Sequence, residues 1–128
     1  MNKYRAKAVW HCMKCDLEAP QAGCIVCHGK PEKFDSGKEY KRWHTLRQSP
    51  QVQNLRRQVR YPLACDGRPI LIRSKGYPNG RQAVMVADFV YEENGETVVE
   101  DSKGMDTPVS RLKRAIFEAQ YGIQVRVT

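Results

Sequence analysis

No stretch of this 128-residue chain approaches the roughly 20 consecutive apolar residues that a membrane-spanning helix needs. The N-terminal M-N-K-Y-R-A-K lacks the apolar centre of a secretory signal, and low-complexity tracts and long internal repeats are missing. Acid is scarce relative to base: 14 Asp plus Glu stand against 22 Lys plus Arg, a formal charge of +8. These absences set the expectation of a cytoplasmic protein with no membrane partner, built as one compact core with at most a small appendage. The basic excess fits a polyanionic partner, DNA first among them.

Cysteine is few in number but concentrated. Four of the five cysteines fall in H-C-M-K-C, His11 to Cys15, and C-I-V-C-H, Cys24 to His28. Each Cys-x-x-Cys pair presents two thiolates from a tight turn, so Cys12, Cys15, Cys24 and Cys27 together offer the tetrahedral sulfur cage of structural Zn²⁺. Two disulfides are the alternative, which an intracellular chain seldom keeps, and a redox dithiol would need only one pair. His11 and His28 flank the pairs; they could replace a thiolate, support the ligands from behind or touch phosphate. Four sulfurs leave no open coordination position, so such a metal braces a loop and any chemistry must lie elsewhere. Cys65, distant from both pairs, reads as a small buried hydrophobe.

The next segment, Phe34 to Gln48, carries Tyr40, Trp43, Leu46 and Arg47 at helical spacing. Ser36 followed by Glu39 is a capping-box signature, placing a helix between Ser36 and the Ser49-Pro50 breaker. Glu39 therefore has a purely structural reading as a cap. Residues 51–60, rich in arginine, are ambiguous between helix tail and strand; Arg56, Arg57 and Arg60 are candidate phosphate contacts or a solvated face. Lys30, Arg111 and Lys113 join them as candidate DNA-binding cations. From Tyr61 onward the signals Asp66-Gly67, Asn79-Gly80 and Asn94-Gly95 punctuate apolar runs, a pattern of antiparallel hairpins. Thr107-Pro108 opens a second helix with Val109, Leu112, Ile116 and Ala119 as its apolar stripe and Gly122 as its stop. A last strand should turn Ile123, Val125 and Val127 to the core. The fold expected is α+β, an α/β sandwich with a central mixed sheet of antiparallel hairpins flanked by helices. Its organisation is a zinc-binding segment over residues 1–33 and a core over 34–128.

Asp88 interrupts the strand V-M-V-A-D-F-V-Y against propensity, and V-V-E-D-S-K-G crowds two acids and a lysine at the end of the following run. Strand alternation puts Asp101 and Lys103 on one side and Glu100 and Ser102 on the other. Two carboxylates on adjacent strands form a hard-oxygen site suited to Mg²⁺. This arrangement closely resembles the PD-(D/E)xK nuclease superfamily: Asp88 in V-A-D-F matches the first strand acid, Asp101 in E-D-S-K the second, Lys103 the lysine, and Glu39 in F-D-S-G-K-E the helix acid. Ala87 stands where the superfamily name has proline. The strings F-D-S-x-x-E, A-D-F-x-Y, V-E-D-x-K-G and T-P-x-x-x-L-K are similar to small phage nucleases and Holliday-junction resolvases, over about Phe34 to Thr128, with the cysteine segment outside as an addition.

The resemblance implies a restriction-endonuclease-like core and a Mg²⁺-dependent (or Mn²⁺-dependent) endonuclease hydrolysing DNA phosphodiester bonds. Asp88 and Asp101 would bind metal, Glu39 directly or through water, and Lys103 would position or activate the nucleophile. It further implies action on branched or duplex DNA, as a homodimer, in the host cytoplasm if the chain is phage-encoded. The alternatives are a nicking nuclease of phage replication or packaging, and a noncatalytic zinc-containing DNA-binding protein whose acids form salt bridges and turns.

Overall fold

A computed structural model describes residues 7–102 and 106–128. The chain divides into two units, Met1–Gln48 and Ser49–Thr128. This division falls later than the boundary read after residue 33, because residues 34–48 pack with the cysteine-bearing part.

In the first unit, β1 (Val9–Cys12), β2 (Leu17–Glu18) and β3 (Glu32–Phe34) form a small antiparallel sheet in the order β2-β1-β3. His11 pairs with Glu18 on one side and Glu32 on the other. Helix α1 (Gly37–Gln48) follows. Its start is set as the sequence indicates: the Ser36 hydroxyl accepts the Glu39 N–H at 3.1 Å, satisfying one of the orphan donors of the first turn. Trp43 and Leu46 face inward and are buried. With Phe34, Tyr40, His11 and His44 they make an aromatic cluster; the Phe34 ring lies 5.0 Å from both Tyr40 and Trp43.

The second unit contains β4 (Val52–Pro62), β5 (Ala64–Cys65), β6 (Arg68–Pro69), β7 (Leu71–Ser74), β8 (Tyr77–Gln82), β9 (Val84–Glu93), β10 (Glu96–Asp101), α2 (Pro108–Tyr121) and β11 (Val125–Val127). Its main sheet runs β11-β10-β9-β4, with β11 parallel to β10 and the other neighbours antiparallel. The mixed sheet, the two helices and the α+β class agree with the sequence expectation. The arginine-rich 51–60 stretch resolves as strand.

Two turn signals act as read. Asp66 and Gly67, and likewise Asn94 and Gly95, all have positive φ, the left-handed pair of a two-residue hairpin that matches strand twist. Asn79-Gly80 does not turn the chain: both residues lie inside β8, and the reversal comes earlier, at Lys75 and Gly76. Gly80 is needed for another reason. Its φ is +90° and an added Cβ would meet the Leu71 Cβ at 2.8 Å.

The core of this unit joins Leu63, Ala83, Met85, Ala87, Val90, Val99, Phe117 and Val125. Three sequence expectations need correction. On α2 the fully buried residue is Phe117; of the expected stripe Ile116 packs against the core, whereas Val109 and Leu112 are 64% and 63% exposed and Ala119 is exposed. The helix is docked through aromatics, Phe117 lying 4.8 Å from the rings of Tyr61 and Tyr121, and this fixes a phase about one residue away from the aliphatic stripe. Val127 is exposed on the edge strand β11, whereas Val125 is buried in the core and Ile123 packs against it as expected. Cys65 is exposed beside the Asp66-Gly67 turn, not buried. Among the described residues no helix is long and apolar enough to cross a membrane.

Candidate functional site

Cys12, Cys15, Cys24 and Cys27 converge, with all four Sγ atoms within 4.8 Å of one another. Cys12 Sγ and Cys27 Sγ are 3.6 Å apart. A tetrahedron with Zn–S bonds of about 2.3 Å has edges of about 3.8 Å, so the cluster is compatible with a structural zinc ion. Both pairs are built alike. The residue after each pair, Asp16 (φ 55) or His28 (φ 61), is left-handed, which swings the chain away and leaves the sulfurs inside the turn. Backbone N–H groups then point at sulfur: Cys15 N–H at Cys12 (3.3 Å), Val26 N–H at Cys24 (3.4 Å) and Gly29 N–H at Cys27 (3.3 Å). Such donors favour thiolate. Backbone hydrogen bonds from Cys27 and Val26 bring the Cys24 thiol down to about 6. Cys15, sharing hydrogen with Cys27 and then desolvated, is pushed up to about 12.

The cluster is braced from α1. Asp16 takes a bidentate grip from Arg47, with both nitrogen–oxygen contacts at 2.8 Å, and its Oδ1 is also 2.8 Å from His11 Nε2. The other His11 nitrogen meets the Tyr40 hydroxyl at 2.7 Å. Both ring nitrogens are thus engaged, so His11 supports the cluster from behind and does not substitute for a thiolate. Arg47, then His11, holds the Asp16 carboxyl well below the usual carboxylate range. Arg47 also lies over the Trp43 ring at 4.2 Å. The bracing role of Asp16 and Arg47 has no motif signature, and sequence reading missed it. Lys30 and His28, just after the second pair, are exposed.

The strand-end acids lie in the second unit. β9 and β10 pair with Val99 opposite Val90 and Glu100 opposite Phe89; one further step in this register sets Asp101 across from Asp88. Asp88 is half-buried and Asp101 buried. The Asp88 carboxylate accepts the Ser102 N–H at 2.8 Å on Oδ2 and the Gln58 side-chain amide at 3.2 Å on Oδ1. Gln58 sits in β4 with φ 52, and four residues earlier Asn54 (φ 55) donates its amide to Glu92. The two left-handed residues in one strand each hand an amide to a β9 carboxylate. A non-glycine in this region is a strain kept in place by its surroundings.

Glu100 accepts the Tyr91 hydroxyl at 2.7 Å within a fully buried pair, and Arg126 donates to the same hydroxyl at 3.2 Å. Those contacts give Glu100 a structural role and leave Asp101 as the acid opposite Asp88. Glu39, buried, occupies the first turn of α1 in the other unit. Lys103 lies outside the described residues. Among the described residues of the 49–128 unit, no third His, Cys, Asp or Glu joins the two aspartates in a close donor group.

The candidate DNA-binding cations scatter. Arg56 and Arg60 are exposed on β4 and Arg57, between them, is half-buried opposite Phe89. Arg111 is exposed and donates to the Asp106 carbonyl at 3.0 Å. Lys113 is half-buried and, with Arg60, lines one depression.

Residues 21–128 match the model of a family described as Protein of unknown function (DUF1064). The matched region takes in Cys24 and Cys27 along with Glu39, Asp88, Glu100 and Asp101, so the second cysteine pair belongs with the family region and is not an appendage to it. No curated protein matches the chain.

Proposed function

We propose that this chain, which belongs to the DUF1064 family, is a metal-dependent endodeoxyribonuclease of the PD-(D/E)xK kind. The observation that carries the reading is the β9–β10 register, which brings Asp88 and Asp101 side by side on adjacent strands at one end of a mixed sheet. Two carboxylates on adjacent strands supply hard oxygen donors, so the pair fits a hard divalent ion such as Mg²⁺ or Mn²⁺. When bound, such an ion polarises a phosphodiester and makes water a better nucleophile.

The chain's own residues do the rest. Asp88 and Asp101 hold the ion at the strand ends; the Ser102 N–H fixes the orientation of Asp88. Lys103 enters this reading through the motif match, as the ammonium that positions water and offsets charge on the phosphorane; Glu39, the helix acid of the motif, belongs to the first unit. The four-cysteine cluster is a brace, holding zinc in a closed site.

A branched substrate, as in Holliday-junction resolution by a homodimer, is the specificity favoured by the small size and the family likeness. The test is cleavage of supercoiled plasmid, a four-way junction, a flap and a linear duplex with Mg²⁺, using wild type and Asp88→Ala, Asp101→Ala and Lys103→Ala. Cleavage confined to the wild type supports the nuclease, and preference for the junction supports the resolvase. Equal slow cutting of all substrates rejects the junction specificity, and binding without cutting by any version rejects the enzyme. A noncatalytic zinc-containing DNA-binding protein is the second reading. It is favoured by one observation: the four cysteines form the metal-ready donor group among the described residues, whereas Asp88 is already bonded.

A further inference from the structure

Arg81 carried no motif, yet the fold sets it beside two cations from distant parts of the chain. Arg60 from β4, Arg81 from β8 and Lys113 from α2 line one open depression of ≈ 310 Å³, with Ile72, Val84 and Val86 among its walls and no carboxylate. Among the described residues no acid pairs with any of the three. Three cations converging without a counter-charge repel one another, a cost that an anion would remove. Arg81 is held in place by its guanidinium over the Tyr77 ring at 4.8 Å, and Lys113 keeps its stem half-buried.

The position of the depression indicates what the anion is. Arg60 pairs across strands with Val86, and Val84, Val86 and Asp88 share the less buried face of β9, while Met85, Ala87 and Phe89 are buried. Asp88 therefore lies in the same row as the lining residue Val86, two residues or about 7 Å further along. The depression is open, and its walls carry cations and aliphatic groups with no aromatic platform for a base. That chemistry grips a phosphate and ignores the nucleobase.

We infer that Arg60, Arg81 and Lys113 form a seat for a nucleic-acid backbone phosphate, one step along the β4–β9 face from Asp88. The seat follows from the cations and the depression; that its occupant is nucleic acid rests on the function proposed above. Its role is positioning: it holds the strand in line with the aspartates and touches no reacting atom.

The test is binding of a fluorescent 20-base-pair duplex, without added divalent ion, across a series of NaCl concentrations. Each lost phosphate contact should make the plot of log K against log [NaCl] shallower by about 0.9. Arg60→Gln, Arg81→Gln and Lys113→Gln combined should remove about 0.9 from the slope, the one phosphate that the seat holds. Lys33→Gln, Lys38→Gln and Lys41→Gln, which remove the same charge from exposed positions in the first unit, should remove less than half of that. If the triple variant folds poorly, Arg81→Gln alone, at an exposed position, should still lower the slope, by up to about 0.9. An unchanged slope, or an equal drop in the control triple, overturns the seat. Displacement of the duplex by micromolar inorganic pyrophosphate, too dilute to alter ionic strength, overturns the backbone assignment. A lowered slope in a protein that never cleaves DNA supports the seat while rejecting the nuclease; normal cleavage with an unchanged slope rejects the seat alone.

Discussion

Asp88→Asn separates a metal ligand from a structural bracket, because only a ligand makes the response to magnesium depend on the carboxylate. The carboxylate accepts the Ser102 N–H and the Gln58 amide. An asparagine oxygen can keep the first bond, and Gln58 can flip to keep the second, but bonds to a charged acceptor weaken to neutral ones, a loss of about 1 kcal/mol. Set against this, Asp101 is the neighbour across the strand, and relieving a like-charge cross-strand pair returns roughly 0.2–1 kcal/mol. The two terms nearly cancel. Metal-free stability should therefore change by no more than about 1 kcal/mol, measured by urea unfolding followed by tryptophan fluorescence and circular dichroism. Magnesium should then split the proteins. With the ion at ten times its dissociation constant, the wild type gains RT ln 11, about 1.4 kcal/mol, whereas the variant gains almost nothing. For a unit of this size that is a rise in Tm of about 6–11 °C in one protein and not in the other. Identical magnesium responses would refute the metal-site reasoning. So would a metal-free loss above about 3 kcal/mol, since it would make Asp88 a structural bracket for Ser102.

Zinc affinity should fall with falling pH. At pH 7 the metal-free Cys15, near 12, holds a proton that binding must release, so log K should drop by at least about one per pH unit around neutrality. Below about 6, where Cys24 also protonates, the dependence should steepen. Competition with a chromophoric chelator at pH 5.5, 7 and 8 checks this, and a pH-independent affinity contradicts it. Phe117→Ala should cost about 3–5 kcal/mol, and Leu112→Ala on the same helix less than about 0.5 kcal/mol, read by urea unfolding; comparable losses would restore the aliphatic stripe. Gly80→Ala should destabilise by roughly 1–3 kcal/mol, because φ +90° and the Leu71 contact both oppose a Cβ, and a neutral result in the same assay would show the hairpin yielding freely.

What the sequence made legible was local chemistry. Two Cys-x-x-Cys pairs state a metal cluster because each needs only its own tight turn. Ser36, Asp66-Gly67 and Asn94-Gly95 set their cap and turns through backbone geometry contained in a few residues. The misreadings of α2 and of Asn79-Gly80 were decided at a distance. The phase of α2 was set by Tyr61, over fifty residues away, whose ring meets Phe117, so the more regular aliphatic stripe lost to an aromatic contact. Asn79-Gly80 has the composition of a turn, but the pairing of Leu71 with Gln82 and of Ile72 with Arg81 draws it into a strand. Arg81 and Arg47 belong to clusters assembled from separate elements, which no spacing in one segment reveals.

The placement of polar groups along β9 carries the argument one step further. A strand meant only to fill a core would gain nothing from Asp88, Glu92 and Glu93 in a single ten-residue run, and β4 spends two left-handed residues, Asn54 and Gln58, supplying amides to two of those carboxylates. Neutral amides hold an acid's orientation without neutralising its charge, which an arginine or lysine would do. Asp16 shows the contrast within the same chain: where an acid is purely structural, Arg47 closes on it with both nitrogens. Asp88 is oriented by the Ser102 N–H and the Gln58 amide, across from the aspartate that ends β10. The magnesium response of Asp88→Asn measures directly how far a cation from solution uses that acid.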